Sequence, residues 1–177
     1  MAFAALASAL ALLTAAPSQM VLAQADPPPS SAPAAAPADG EDPFPAGAPT
    51  DDYHFMGWCY GALSGHMDLY DKVLPSVRSI EAAFPDSNRT IDEVMGDYTA
   101  QHTEGDRLLK SWDHSLTALE AKRKTGRASR AAAVASGREV WKGSETADAR
   151  QLAQLWMSWG LPGRCMSTGE RLAPKAK

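Results

Sequence analysis

The sequence predicts a small all-α domain, and three observations support this fold class. From Tyr53 onward, apolar residues recur at three- and four-residue spacing, which is the period of an amphipathic helix. No stretch alternates apolar and polar residues for long enough to predict a strand. Two cysteines lie near the ends of the periodic region. We therefore expect a bundle of about four helices with one long-range disulfide, preceded by a disordered Pro/Ala-rich segment.

The first 25 residues have the features of an export signal. An apolar run from Phe3 to Ala16 is followed by Pro17 and by small residues ending in Ala23-Gln24-Ala25, the A-x-A pattern of a signal-peptidase site. The usual positive charge before the apolar run is missing, so a retained anchor is the alternative, although the run is short for a bilayer span. We predict a cleaved signal over 1–25 and a periplasmic or secreted location.

The next segment, residues 26–52, is predicted to be a disordered acidic linker. It holds eight prolines, and its one large apolar residue is Phe44. Such a composition buries too little surface to offset the entropy lost on ordering, and its prolines favour an extended polyproline-like chain. The helical domain then spans 53–177.

Four helices are predicted within this domain. The first is expected to kink or split at Pro75, because proline removes a backbone donor. The second begins at a capping box formed by Thr90 and Glu93. The predicted spans are about 54–84, 90–122, 129–141 and 146–159, with a short tail to residue 171 that can turn helical.

The two cysteines, Cys59 and Cys165, are interpreted as a structural disulfide. In an exported chain an even cysteine count favours a crosslink over free thiols or a metal pair. The bond would close a loop of roughly a hundred residues, which the chain-entropy model values at about 4–5 kcal/mol. A redox-active pair is the alternative, but the C-x-x-C spacing that lowers a thiol pKa is absent.

Three glycines at four-residue spacing mark a helix face without side chains, which a second helix can approach closely. That second helix is either part of this chain or part of another protein, and an irregular segment is a third possibility. The tryptophans are expected mainly in the core, but Trp156 and Trp159 are the candidates for lining a ligand groove if one is present. The partner-binding candidates are therefore Gly57, Trp58, Gly61, Gly65, Trp156 and Trp159.

The segment from Phe55 to Gly65, Phe-Met-Gly-Trp-Cys-Tyr-Gly-Ala-Leu-Ser-Gly, resembles the start of the Rap1a/Tai family. Members of that family are small secreted helical immunity proteins, which open with a cysteine–glycine–aromatic helix and neutralise a toxin by binding it. The family's additional cysteines are absent here. The resemblance implies a secreted helical binding protein, and it assigns no site residue.

A basic cluster is predicted at a helix end. The net charge is −4, but residues 1–71 carry only acidic groups, so the remaining chain is cationic. Cations at a helix C-terminus complement the helix dipole, which favours a solvated cap; an anion site for lipid phosphate or lipopolysaccharide is the alternative. An acidic exported protein is not expected to bind nucleic acid. The anion-binding candidates are Lys122, Arg123, Lys124, Arg127 and Arg130.

No sequence motif indicates a reaction. The G-x-S-x-G, H-E-x-x-H and P-loop patterns are missing, and no two histidines have the four-residue spacing of a metal-binding helix face. We therefore expect no catalytic residue, no metal and no cofactor. The sequence favours a non-catalytic protein that binds another cell-envelope protein as an inhibitor, immunity protein or accessory subunit. The alternative is a binder of anionic envelope ligands, and an enzyme of unknown type is the third possibility.

Overall fold

Six helices and one 3₁₀ turn form the regular structure of the described residues, which include no strand. The computed structural model describes residues 42–86, 88–123 and 127–173, without the side chain of Arg123, and these belong to one compact unit. The predicted all-α class is confirmed. The helices are α1 (Asp52–Asp68), α2 (Tyr70–Ala83), α3 (Ile91–Arg123), α4 (Arg127–Arg138), α5 (Ala149–Ser158) and α6 (Gly163–Leu172), with the 3₁₀ turn at Glu139–Trp141 after α4.

The predicted count of four helices is wrong, partly because the first predicted helix is two. It breaks at Leu69, whereas Pro75 lies inside α2. At the break, the carbonyl of His66 accepts two hydrogen bonds, one from the Leu69 N–H (3.3 Å) and one from the indole N–H of Trp156 (2.9 Å). These bonds occupy the carbonyl at the point where α1 ends. Trp156, 90 residues after His66 in the sequence, thus helps to define where α1 ends.

The sixth helix, α6, is formed by the tail that was expected only to turn helical. It packs against α1 through the Cys59–Cys165 disulfide, whose Cα atoms are 5.8 Å apart. The predicted disulfide is confirmed. Near the same contact, Arg171 donates to Asp52 at the start of α1 (3.0 Å). The first and last described helices are therefore fastened to each other.

The start of α3 confirms the predicted capping box. The Thr90 N–H donates to the Glu93 carboxylate (2.7 Å), and the Glu93 N–H donates to the Thr90 hydroxyl (3.3 Å). The helix then continues for 33 residues, or about 50 Å. It is long enough to contribute to both parts of the core.

The core consists of two clusters of buried residues. The first surrounds the disulfide and joins α1, α6 and the C-terminal half of α3, with Phe55, Leu63, Trp112 and Leu116 among its members. The second joins α2, α5, the 3₁₀ turn and the N-terminal part of α3. Its buried members include Tyr70, Val73, Val77, Met95, Trp141, Leu152 and Trp156. Trp159 is partly buried and packs against both clusters, so it marks the seam between them.

Part of the predicted linker lies against the helical unit. The ring of Phe44 packs edge-on against Phe55, with 4.9 Å between the ring centroids. The guanidinium of Arg164 lies 3.8 Å from the centroid of the Phe44 ring and donates to the Asp42 carbonyl (2.7 Å). The Phe44 ring and the Asp42 carbonyl thus attach the start of the described chain to the helical unit. The predicted signal at 1–25 and the linker residues 26–41 lie outside the described residues.

None of the described helices combines the length and the apolar character that crossing a membrane requires. Even α3, the longest of them, carries charged residues along its whole span.

Candidate functional site

An open, mostly apolar groove of about 470 Å³ lies at the seam between the two core clusters. Helix α1 lines one part of it, the middle of α3 lines a second, and α5 with the loop that follows lines a third. The apolar and aromatic side chains of its lining belong to Leu63, His66, Met67, Leu108, Trp156, Trp159 and Leu161. We call this surface the seam groove.

His66 is held in the seam groove by tryptophan rings. Its imidazole stacks on Trp156 with 4.3 Å between centroids and an interplanar angle of 4°. It also stacks on Trp159 at 4.8 Å, and Trp141 lies 5.4 Å away. Burial, and to a smaller extent charge repulsion from the nearby His102, lower the pKa of His66 to about 4. His66 is therefore neutral at neutral pH, and its buried Nδ1 has no hydrogen-bond partner among the described residues.

Polar groups lie on the α3 side of the seam groove. Gln101 and Glu104 are exposed lining residues. The Glu104 carboxylate accepts two hydrogen bonds from Arg107, which lower the pKa of Glu104. The apolar lining thus has an ion pair at one margin, which is the distribution expected of a binding surface with a dry centre and a polar rim.

Gly105 allows α1 and α3 to meet beside the groove. A Cβ at this position would lie 2.5 Å from the Met67 sulfur, so any other residue would require the flexible Met67 side chain to shift. The role of Gly105 was not predicted, because a single glycine in a polar stretch carries no signal of what packs against it.

The tryptophan pair singled out in the sequence is found at this site. Trp156 is only 3% exposed, whereas Trp159 is partly exposed, and both line the seam groove. The other lining residues, among them Leu63, His66 and Leu161, were not proposed as site residues. Helical spacing indicated only that Leu63 and His66 would lie on the apolar face of a helix, and Leu161 was assigned to the segment that ends the last predicted helix. Nothing local tells a groove wall from a core contact.

The predicted glycine face is occupied by the protein's own helix α4. A Cβ at Gly57 would lie 3.0 Å from the Ala133 Cβ, one at Gly61 would collide with the Val134 carbonyl, and one at Gly65 with the Trp141 ring. The intramolecular alternative is therefore the one observed, because α4 and Trp141 already cover this face. Trp58 is likewise a core residue, 5% exposed.

The predicted anion cluster is only partly described. Arg130 is 16% exposed and lies near two carboxylates, those of Asp113 (2.5 Å) and Glu120 (3.8 Å). It also lies 5.4 Å from the centroid of the Tyr60 ring. Its charge is thus balanced within the protein. Arg127 and Lys122 are exposed, whereas Lys124 and the side chain of Arg123 lie outside the described residues.

One chain of hydrogen bonds has the order of a Ser-His-Asp triad. Asp51 is bonded to His54 Nδ1 (2.8 Å), and His54 Nε2 is bonded to the hydroxyl of Ser129 on α4. Asp51 is also the N-cap of α1, where it accepts the His54 N–H (3.1 Å). The Asp–His contact therefore follows from helix capping, and the bond to Ser129 ties α1 to α4.

Among the described residues, no group of three histidine, cysteine or acidic side chains could hold a metal ion. Comparisons with family models, with curated proteins and with solved structures find no match to this chain. The resemblance of residues 55–65 to the Rap1a/Tai family therefore stays a prediction.

Proposed function

We propose that this chain is an exported, non-catalytic helical protein that binds another cell-envelope protein, as an inhibitor, an immunity protein or an accessory subunit. The seam groove is the surface that receives the partner. The observation that carries the proposal is an open groove lined by two tryptophans, a methionine and leucines at the junction of two core clusters.

The lining favours a side chain or a short segment of a protein as the ligand. Tryptophan and methionine are enriched at protein interfaces, where large apolar side chains fill pockets at the centre of the contact. The volume, about 470 Å³, lies in the range of sites that enclose small molecules or a few side chains. Neutral His66 adds no charge whose desolvation would oppose apolar binding.

Export is the second part of the proposal. Disulfides form and persist in oxidising compartments, and the Cys59–Cys165 bond joins helices that are far apart in sequence. A periplasmic or secreted location after removal of residues 1–25 is consistent with it. Cell fractionation, with mass spectrometry of the mature N-terminus, tests this part. The expected species begins at Asp26, and an intact chain in the cytoplasm with free thiols would contradict it.

Capture of envelope proteins by the purified chain tests the partner site. Ala100 is exposed and lines the seam groove, so Ala100→Arg should block the groove without disturbing the core. Ala135 is exposed on α4 outside the groove lining, and Ala135→Arg is the matched control. We expect Ala100→Arg to weaken capture of a specific partner at least tenfold and the control to change it less than twofold. Equal capture by both variants would overturn the proposed site.

A further inference from the structure

A second open groove, of about 400 Å³, lies between α1, α3 and α4 and shares no lining residue with the seam groove. Tyr60 lines it from α1, Thr117 and Glu120 line it from α3, and α4 contributes a wall that includes Arg127, Arg130 and Val134. We call this surface the α4 groove. Its volume lies in the range of sites that enclose small molecules.

The partly buried polar groups of the α4 groove already have partners within the protein. Glu120, whose side chain is 12% exposed, accepts a hydrogen bond from the Tyr53 hydroxyl (2.8 Å) and lies 3.8 Å from the Arg130 guanidinium. Arg130 also donates to the Thr117 hydroxyl (3.3 Å) and to Asp113 (2.5 Å). A ligand in this groove therefore need not supply partners for these groups, and its main contacts are apolar.

Arg127 differs from Arg130 because it has no partner. It is an exposed lining residue, and its guanidinium makes no hydrogen bond or ion pair with the described part of the chain. A guanidinium matches a carboxylate through two parallel hydrogen bonds, and such charge-assisted bonds are about twice as strong as neutral ones. An unpaired arginine on an apolar groove is thus complementary to a ligand with an apolar body and one anionic group.

We propose that the α4 groove binds a fatty acid, whose carboxylate pairs with Arg127 and whose hydrocarbon chain lies against Tyr60 and Val134. Each methylene group that the groove buries strengthens binding roughly fourfold. The carboxylate makes the site selective for anionic over cationic amphiphiles of the same chain length. The inference goes beyond the proposed function and does not depend on it, because the proposed partner occupies the seam groove.

Isothermal titration calorimetry of the full chain with dodecanoate, kept below its micelle concentration, tests the proposal. The comparison ligand is dodecyltrimethylammonium, which has the same chain and the opposite charge. We expect saturable one-to-one binding of dodecanoate at neutral pH. This binding should be about tenfold tighter than that of the cation, because the cation forms no hydrogen bond with Arg127 and has the same charge.

Two pairs of variants locate the bound ligand. Ala131 and Ala135 are both exposed on α4, but only Ala131 lines the groove, so Ala131→Trp should fill the groove and Ala135→Trp should not. Arg127→Gln removes the charge at an exposed position, and Arg150→Gln does the same on α5, outside both grooves. Ala131→Trp and Arg127→Gln should each weaken dodecanoate binding about tenfold, and each control less than about twofold.

The loss of dodecanoate binding in both α4-groove variants, with partner capture unchanged, supports the proposal. No binding of dodecanoate, equal binding of the cation, or binding that Arg127→Gln leaves unchanged would overturn it. Binding that is weakened by Ala100→Arg instead of Ala131→Trp would place the chain in the seam groove and would also overturn it. Binding only to phosphatidylglycerol vesicles would identify a membrane surface as the ligand and refute the fatty-acid site.

Discussion

At the scale of single residues, the contact between α1 and α4 depends on missing side chains. Gly61 on α1 faces the Val134 carbonyl, and Gly137 on α4 faces the Trp58 carbonyl, each too close for a Cβ. The backbones therefore pack directly against each other. The Trp141 indole, which follows α4, donates to the Ala62 carbonyl (2.8 Å) and extends this contact.

Gly61→Ala should therefore destabilise the protein. The added methyl group must displace backbone, and overpacking of this kind costs about 1–3 kcal/mol. Gly96 is the matched control, because it lies inside α3 with nothing within 4 Å of its Cβ position. Gly96→Ala should stabilise the helix by about 0.5–1 kcal/mol. Urea unfolding of both variants measures the difference, and a loss below 0.5 kcal/mol for Gly61→Ala would show that the contact is loose.

His66 predicts a pH dependence of stability. The pKa of its imidazole is about 4 in the folded protein and near 6.5 when unfolded, so between these values the unfolded chain takes up a proton that the folded protein does not. Stability from this group is complete above pH 6.5 and is lost as the pH falls toward 4. Because water reaches part of the ring, we expect a loss of roughly 1–2 kcal/mol.

The variant His66→Phe keeps an aromatic ring against Trp156 and cannot be protonated. Urea unfolding at pH 7.0, 5.5 and 4.5 should show a shallower decline in the stability of this variant than in that of the wild-type protein, because the unfolded variant takes up no proton at position 66. Parallel pH profiles for the two proteins would mean that His66 is protonated as easily in the folded state as in the unfolded one.

At the scale of helices, features that depend on residues close in sequence could be predicted, and features that depend on residues far apart in sequence could not. The capping box of Thr90 and Glu93 and the full course of α3 follow from residues close in sequence. The break between α1 and α2 does not, because it involves the indole of Trp156, and Pro75 was a misleading local signal. Phe44 was likewise assigned to the linker, because the composition of residues 26–52 gives no indication that the Phe44 ring packs against Phe55.

The candidate site shows the same division. Helical spacing marked Trp156 and Trp159 as a pair on one face of the predicted helix 146–159, but the seam groove also needs α1 and α3 at particular distances. Those distances depend on Gly105, on the packing of Met67 and on the course of a 33-residue helix. A single sequence specifies these only through the complete fold, so the groove itself could not be predicted.

At the scale of the whole molecule, the disulfide joins α1 to α6, the first and last described helices. Cys59 and Cys165 are 106 residues apart in sequence, and both are fully buried in the cluster that joins α1, α3 and α6. Replacing both by alanine should cost about 2–5 kcal/mol, because the unfolded chain regains the entropy of an open loop.

Urea unfolding of the double alanine variant measures this loss, and the wild-type protein under reducing conditions provides the control. Both should unfold at a similar, lower urea concentration. A double variant as stable as the oxidised protein would mean that the helices hold α6 in place without the bond.

Site-specific photo-crosslinking in living cells tests whether the seam groove receives a segment of another protein. A photoreactive amino acid is placed at Ala100, which lines the groove, or at Ala135, which does not. If a protein segment binds the groove, position 100 should give a discrete adduct with one envelope protein, which Leu161→Asp weakens and which is absent from position 135. A diffuse or absent adduct from position 100, or the same adduct from both positions, would contradict it.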